Sequence, residues 1–257
     1  MRTAFYIFLV LVAASCESLE VDKLRPSYPV VTAVLEAGST ESEIAFFSLP
    51  DEQSGKRAIS DAHLRLRDKQ GGVKDAVFEN GSYRVHGLPI VSGHAYELEI
   101  EYNGKDYSAQ CEVPPALVLV NLTSSTAHID PNTMGAPIIT VTWNELPTER
   151  YSYVLLLEHL DEEPQVIPFT QTSGGQFAAL YQSPILNNTI TLFDTDFNYY
   201  GPHRLSIFAI ERGLEHLYFY DSSDLRGLLQ TAPGNVIGAH GYFTGVSRVA
   251  VDLLIQP

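Results

Sequence analysis

The clearest predicted chemistry in this sequence is lipid attachment at Cys16, which follows a short apolar N-terminal run. Arg2 gives the segment a positive start, residues 4–14 are apolar, and Ala-Ala-Ser at 13–15 supplies the small residues that a signal peptidase accepts. The run is about half as long as the roughly 20 residues that a membrane-spanning helix needs. We therefore expect a lipoprotein signal peptide at residues 1–15 and acylation of the Cys16 sulfur. Ordinary secretory cleavage nearby is the alternative.

Acylation of Cys16 would anchor the protein without a membrane-spanning segment. Each buried methylene contributes about 0.8 kcal/mol, and two or more acyl chains give stable anchoring where one chain does not. No later stretch of the sequence has the length and apolarity of a transmembrane helix. The membrane is thus an expected partner through the lipid anchor, with residues 16–27 as an acylated tether.

A second candidate chemistry is calcium binding by the run that begins at Asp194. Asp194, Asp196 and Asn198 place oxygen ligands at every second position, as a calcium loop does. Tyr199 stands where the loop needs a glycine, and the twelfth position is Leu205 rather than a bidentate glutamate. A plain turn rich in Asp and Asn therefore explains the run better.

Enzymatic chemistry finds little support in the sequence. The eight histidines are scattered, with no pair at the spacing that metal ligation on a strand or helix requires, and the common nucleophile, zinc-protease and phosphate-loop motifs are absent. We predict that the protein is not an enzyme and that it needs no metal and no cofactor. Distant Ser, His and Asp residues that converge in space, or two carboxylates in one cleft, are the arrangements that would overturn this prediction.

The most promising binding element is Tyr-Tyr-Gly-Pro-His at residues 199–203. Adjacent aromatic rings before a Gly-Pro turn could stack on a sugar or a peptide at the edge of a β-sandwich. Tyr199, Tyr200 and His203 are therefore a candidate binding surface. The alternative is a structural corner in which a tyrosine packs inward and its hydroxyl bonds to the backbone.

The charge and cysteine content of the chain limit the kinds of partner and of cross-link that it can have. The chain of 257 residues carries 31 acidic against 16 basic side chains, a net charge of −15, which excludes the basic footprint that nucleic-acid binding requires. With Cys16 assigned to lipid, Cys111 is the one cysteine left, so no disulfide is possible and packing must stabilise the fold. Cys111 lies in an alternating segment, where it is expected to be a small buried hydrophobe.

The elements that must position these residues follow an all-β pattern. From Tyr28 the apolar residues alternate with polar ones, and turn signals recur every 8–12 residues, as in β-sandwiches. Asn80-Gly81 and Asn103-Gly104 are strong hairpin signals. These features predict an N-terminal Ig-like β-sandwich at residues 28–115.

The second half repeats the strand pattern and resembles a fibronectin type III module. Trp143 ends an alternating strand and is expected in the core between two sheets. Apolar residues change to helical spacing at about 214–229 before strands return near the C-terminus. We therefore predict two tandem Ig-like or fibronectin type III-like β-sandwiches, the second at residues 116–257 with a short helical insertion.

Several sequence elements together resemble a Bacteroidota outer-membrane lipoprotein family known as domain of unknown function 4249. They are the acylated Cys16, the strand that begins at Pro29, the GSYRV and HAYELEIEYNGKDYSA segments, the YFYDSSDLRGLL segment, and a C-terminal element in which Asn235 precedes Gly241, Tyr242, Phe243 and Gly245. The acidic residues after Cys16, in Glu-Ser-Leu-Glu-Val-Asp at 17–22, also resemble the surface-export signal of lipoproteins in that phylum.

The resemblance implies a role without naming a ligand or a catalytic residue. Members look like accessory lipoproteins encoded beside TonB-dependent transporters of the outer membrane. We therefore expect a lipid-anchored outer-membrane protein that binds a ligand or a partner for such a nutrient transporter. The sequence does not decide between the periplasmic and the cell-surface leaflet. The alternative is a structural or adhesive cell-surface lipoprotein with no transporter role.

Overall fold

The fold of this chain is nearly all β-strand in the part that the structure describes. The computed structural model describes residues 28–49, 56–130, 135–168, 179–214 and 234–257. Within these ranges the only helical element is a 3₁₀ turn at Asp194–Asp196, so the all-β prediction is confirmed. None of the helical structure in these ranges is long and apolar enough to cross a membrane.

Three sequence predictions fall wholly or mainly outside the described residues. They are the signal peptide at 1–15 with the acylated tether at 16–27, the lipid attachment at Cys16, and the helical insertion at 214–229, of which only residue 214 is described. These three stay predictions.

The strands are numbered in chain order. They are β1 Tyr28–Glu36, β2 Glu41–Leu49, β3 Arg57–Ala58, β4 His63–Asp68, β5 Val73–Asp75, β6 Val77–Glu79, β7 Ser82–His86, β8 Ala95–Tyr102, β9 Lys105–Glu112, β10 Leu119–Leu122, β11 Thr126–His128, β12 Pro137–Trp143, β13 Tyr151–His159, β14 Gln165–Val166, β15 Ala179–Ile185, β16 Thr189–Phe193, β17 Tyr199–Glu211, β18 Val236–Ile237 and β19 His240–Gln256.

These strands form three sheets. The largest has the order β15-β13-β17-β19-β1-β2-β7-β6, with β11, β14 and β3 attached to β19, β17 and β2. A five-stranded sheet has the order β18-β9-β8-β4-β5, and a three-stranded sheet has the order β10-β12-β16. Each smaller sheet supplies residues to a core that it shares with part of the large sheet.

The first core lies where β1, β2 and β7 of the large sheet pack against the five-stranded sheet. Strand β8 illustrates how the sequence selects the side chains of this core. Tyr96, Leu98 and Ile100 are fully buried, while Glu97 and Glu99 alternate with them on the outer face. Burial of each large apolar side chain contributes about 1.5–3 kcal/mol. The alternation of apolar and polar residues thus fixes which face of β8 turns inward.

The second core surrounds Trp143, whose buried position confirms the prediction from its strand pattern. Its ring meets that of Tyr153 edge to face at a centroid distance of 5.2 Å. The Tyr153 hydroxyl accepts a hydrogen bond of 2.9 Å from the backbone N–H of Leu146, so the buried polar end of this tyrosine is satisfied.

The last strand, β19, belongs to both cores. Its residues 240–246 pair in parallel with β1, and its residues 246–255 pair antiparallel with β17. Phe243, near its start, is fully buried in the first core, whereas Leu253 and Ile255 are buried in the second. Because one sheet runs through both cores, two separate sandwiches are not what the structure shows. The division at 28–115 and 116–257 stays a prediction.

The side chain of Asn235 fixes the start of β19 to the first core. Its Oδ1 accepts from the backbone N–H of Phe243 at 2.8 Å, and its Nδ2 donates to the Phe243 carbonyl at 2.6 Å and to the Gln110 carbonyl at 3.2 Å. One amide thereby joins β19 in the large sheet to β9 in the five-stranded sheet. The Asn235 and Phe243 positions of the C-terminal element therefore serve the architecture.

Close backbone approach explains two glycines of the same element. A Cβ on Gly241, whose φ is +108°, would lie 1.9 Å from the carbonyl oxygen of Val31 in β1. A Cβ on Gly245 would lie 2.6 Å from the Cα of Val113, just after β9. Ser247 donates a hydrogen bond to the Pro114 carbonyl beside that contact. The connection between the two halves therefore lies directly on β19.

We expect Gly241→Ala to destabilise the protein far more than Gly38→Ala. Gly38 also has a positive φ, +86°, but a Cβ there meets nothing within 4 Å. In Gly38→Ala, the control, the free energy of unfolding should fall by about 1–2 kcal/mol, which is the penalty for a left-handed backbone alone. In Gly241→Ala the new Cβ must also push β19 away from β1, so the free energy of unfolding should fall by roughly 3 kcal/mol or more. Urea unfolding measures both, and equal losses would contradict the role given to the β1–β19 contact.

Candidate functional site

The structure places Tyr199, Tyr200 and His203 inside β17, where all three side chains are buried. Their exposed fractions are 5%, 6% and 3%. The strand is covered on one edge by β13 and β14 and on the other by β19. Rings without exposed faces cannot stack on a sugar or a peptide, so an exposed binding surface at these residues is not supported. The alternative interpretation, inward packing, agrees with their burial.

Two of these buried side chains, Tyr199 and His203, form a ring cluster with His159 and Phe197, whereas Tyr200 is buried in the second core. The His159 ring lies 5.0 Å from that of Tyr199 and 4.8 Å from that of His203, and Phe197 meets His203 edge to face at 5.1 Å. His203 Nδ1 donates to the Gly201 carbonyl at 3.1 Å, and His159 Nε2 donates to the Tyr200 carbonyl at 3.0 Å.

Burial sets the ionisation of His203. The loss of hydration, with a smaller contribution from the neighbouring His159, lowers the pKa of His203 to about 4, against the opposite effects of the Gly201 carbonyl and of Asp161. A neutral imidazole at physiological pH suits a packed ring cluster.

The run that begins at Asp194 is a structural turn whose carboxylates accept hydrogen bonds from backbone N–H groups. Asp194 is buried and accepts from the N–H groups of Gly135 at 2.8 Å and Ala136 at 3.2 Å. Asp196 accepts from the Phe193 N–H at 2.8 Å and so caps the 3₁₀ turn. This geometry matches the turn interpretation of the sequence rather than a calcium loop.

Metal and thiol chemistry have no arranged site in the described ranges. No group of three or more His, Cys, Asp or Glu side chains there is placed to hold a metal ion. Cys111 is buried in the first core, and burial raises the pKa of its thiol well above the usual value. The thiol is therefore an unreactive packing group, in agreement with the sequence interpretation.

Sequence reasoning missed a cleft of about 580 Å³ at the end of the first core where β1 begins. We call it the open-end cleft. It lies between the end of β2 with the short β3 on one side and the β8–β9 hairpin on the other. Its lining is mostly polar and consists of Pro29, Ser48, Arg57, Ala58, Ile59, Ser60, Asp61, Tyr102, Asn103, Lys105 and Tyr107.

Packed aromatic residues position the walls of the open-end cleft. Tyr102 meets Phe46 edge to face at 5.6 Å, and Tyr107 lies at 6.0 Å from the same ring. The backbone N–H of Ile59 bonds to the Phe46 carbonyl at 3.0 Å and holds the segment after β3 against β2. The Asn103-Gly104 turn was visible in the sequence, but its closeness to Arg57 depends on how the two sheets pack.

A smaller cleft of about 240 Å³ lies at the junction of the two halves. Its lining includes Glu112, Arg150 and Tyr151. The Tyr151 hydroxyl donates to Glu112 Oε1 at 2.8 Å, and Arg150 forms an ion pair with the other oxygen of the same carboxylate. Burial, followed by the Glu112 carboxylate, raises the pKa of Tyr151 to about 12. These groups bond to one another and join β9 to β13.

The outer face of the three-stranded sheet is distinctive for its lack of charge. Strands β10, β12 and β16 contain no Asp, Glu, Lys or Arg. Threonine hydroxyls pair across it, at 3.2 Å between Thr140 and Thr191 and at 3.1 Å between Thr142 and Thr189. Val120 is 65% exposed on β10. We call this surface the uncharged face.

Comparisons with known proteins match this chain to a family and to solved structures of low similarity. A family model described as a domain of unknown function (DUF4249) matches residues 17–250. A comparison with curated proteins gives no match. Among solved structures, the FN1–FN3 domains of chicken CNTN1 are 14% identical with a TM-score of 0.24, over 90% of this chain and 66% of that one. An Escherichia coli alpha-2-macroglobulin is 14% identical with a TM-score of 0.25, over 88% and 22%.

We expect His203→Asn to weaken the pH dependence of stability between pH 6.5 and 4. In the wild type the unfolded histidine binds a proton below about 6.5 while the folded one stays neutral until about 4. Stability present above pH 6.5 is therefore lost as the pH falls through that window, by about 3 kcal/mol in total at about 1.4 kcal/mol per pKa unit. Asn keeps a donor near the Gly201 carbonyl.

Urea unfolding of both proteins at several pH values measures this difference. His128→Asn, at an exposed histidine, is the matched control and should follow the wild type. A wild-type-like pH profile for His203→Asn would contradict the buried neutral state.

Proposed function

We propose a transport-accessory role for this chain, which belongs to the family described as a domain of unknown function, DUF4249. In this proposal the protein is anchored in the outer membrane by lipid on Cys16 and binds a ligand or a partner for a TonB-dependent nutrient transporter. The observation that carries the proposal is the N-terminal pattern that ends at Cys16: a positive start, a short apolar run, small residues and then the cysteine.

The position of the open-end cleft supports a binding role close to the membrane. Pro29, in β1, lines the cleft and is thirteen residue steps from Cys16, a distance of at most about 45 Å for an extended chain. Strand β19 runs alongside β1, away from the cleft, before it enters the second core. Lipid on Cys16 would thus hold the cleft near the membrane and raise its local concentration beside a transporter.

The lining of the cleft supports binding rather than catalysis. A glycan-cleaving enzyme needs two carboxylates about 5–9 Å apart across one cleft. Among the described residues that line the open-end cleft, Asp61 is the only acidic side chain. The proposal therefore keeps the protein non-enzymatic. It also keeps two Ig-like or fibronectin type III-like sandwich halves, joined through the large sheet that they share, and the helical insertion at 214–229 as expected parts of the molecule.

The uncharged face favours a second candidate function, a structural or adhesive cell-surface lipoprotein. Interface cores are depleted of charged residues, and this surface lacks them in a chain whose net charge is −15. By contrast, the outer face of the five-stranded sheet carries Arg65, Arg67 and Glu99 in ion pairs, as a solvent-facing surface does. A protein that docks on the uncharged face need not be a transporter.

We expect Cys16→Ala to abolish both lipid labelling and membrane association. Labelled palmitate should enter the wild type and the Cys111→Ala control, because Cys111 is buried in the first core, but it should not enter Cys16→Ala. Fractionation should then find Cys16→Ala outside the outer membrane. Label in Cys16→Ala, or its retention in the outer membrane, would rule out the anchor.

Purification of the native lipidated protein from solubilised membranes separates the two candidate functions. Co-purification of a TonB-dependent transporter supports the accessory role. Self-association or matrix binding with no transporter present supports the structural or adhesive role and contradicts the first proposal.

A further inference from the structure

Arg57 in the open-end cleft differs from the other arginines of the described residues. Each of the others bonds to an acidic side chain or, for one of them, to a backbone carbonyl; they are Arg65, Arg67, Arg84, Arg150, Arg204, Arg212 and Arg248. Within the described part of the chain, Arg57 has no ion pair and no side-chain hydrogen bond. A guanidinium that has no carboxylate partner among the described residues of so acidic a chain is available to an outside anion.

Lys105 provides a second cation to the cleft from the opposite sheet. It begins β9, whereas Arg57 lies on β3 beside β2, so the two cations stand on different walls. Lys105 is exposed, and no carboxylate within the described ranges lies within ion-pair distance of its ammonium group. Among the described residues of the lining there are two cations and one acidic side chain, Asp61, so this part of the lining is locally positive in a molecule of net charge −15.

The remaining lining residues suit a hydroxylated ligand. Tyr102 is half-buried and held by Phe46, so it offers an aromatic surface whose position is fixed in advance. Ser48, Ser60 and Asn103 supply hydroxyl and amide groups that both donate and accept. An aromatic ring beside neutral polar groups is the chemistry that recognises a sugar ring.

The size of the cleft is consistent with a small molecule. Its volume of about 580 Å³ falls within the range of roughly 300–1,000 Å³ that small-molecule sites occupy. Its two walls belong to the two sheets of the first core and are fixed by packing around Phe46. The geometry of the site therefore exists before a ligand arrives.

We infer that the open-end cleft binds a small acidic saccharide. Arg57 and Lys105 hold its carboxylate or phosphate, Tyr102 packs against its ring, and Ser48, Ser60 and Asn103 bond to its hydroxyl groups. This inference names the ligand class of the proposed binding role and rests on that role. It does not depend on the lipid anchor or on the identity of a transporter.

Calorimetry on the full lipidated protein, in a detergent without a sugar headgroup, tests the inference. Digalacturonate and glucose 6-phosphate are the acidic probes, maltose and glucose the neutral ones, and inorganic phosphate the anion alone. We expect the acidic saccharides to bind at least tenfold more tightly than the neutral sugars and than phosphate. Binding of neutral sugars with equal affinity, phosphate binding as tight as that of glucose 6-phosphate, or no binding of either acidic probe would each overturn the inference.

Variants assign the binding to the cleft. Arg57→Gln and Lys105→Gln should each weaken the acidic probes tenfold or more, because hydrogen bonds to charged groups contribute about 1.5–3 kcal/mol. Arg65→Gln is the matched control, since Arg65 is ion-paired to Asp75 on the outer face, and it should bind as the wild type does. Unchanged affinity in both cleft variants would overturn the assignment. Because palmitate labelling reports on the anchor separately, failure here is distinguishable from failure of the proposed function.

Discussion

The pairing of β19 along both cores is the constraint on which the rest of the structure depends. A strand in the middle of a sheet must satisfy its backbone groups on two edges, and β19 does so with β1 and β11 on one edge and β17 on the other. It supplies Phe243 to one core and Ile255 to the other. Loss of this strand would open both cores, since each is closed partly by residues from the C-terminus.

This arrangement makes the fold depend on long-range contacts. Val31 and Gly241 are partners in the register of β1 and β19, although nearly the whole described chain lies between them. Such pairing incurs the entropy of a long loop before it gains any contact. Asn235 reduces the freedom of the incoming strand because its amide bonds to Phe243 and Gln110 together. The C-terminal element is therefore the part of the sequence that links the two halves into one sheet.

The surfaces of the molecule differ in whether their charged side chains are paired with one another. The outer face of the five-stranded sheet pairs its own charges, as Arg65 does with Asp75 and Glu99. The junction does the same through Glu112, Arg150 and Tyr151. The open-end cleft keeps Arg57 and Lys105 without such partners in the described residues, and the uncharged face has no charges to pair. A binding role therefore finds its best support at the cleft, and a docking role at the uncharged face.

The amino-acid sequence alone is enough to predict which residues face inward and where hairpins turn. The alternation of apolar and polar residues predicts that Tyr96, Leu98 and Ile100 lie in a core, and the strand that ends at Trp143 predicts the same for its ring. The Asn103-Gly104 pair predicts a hairpin turn. These features depend on local periodicity and backbone preference, which a single segment carries. The burial of Tyr199, Tyr200 and His203 depends instead on tertiary packing, because a Gly-Pro pair is typical of a local turn, whereas these side chains pack against His159, Phe197 and the second core. The same holds for the cleft, since Arg57 and Lys105 line one cleft only when two sheets pack. It also holds for β19, which pairs with β1 from the other end of the described chain.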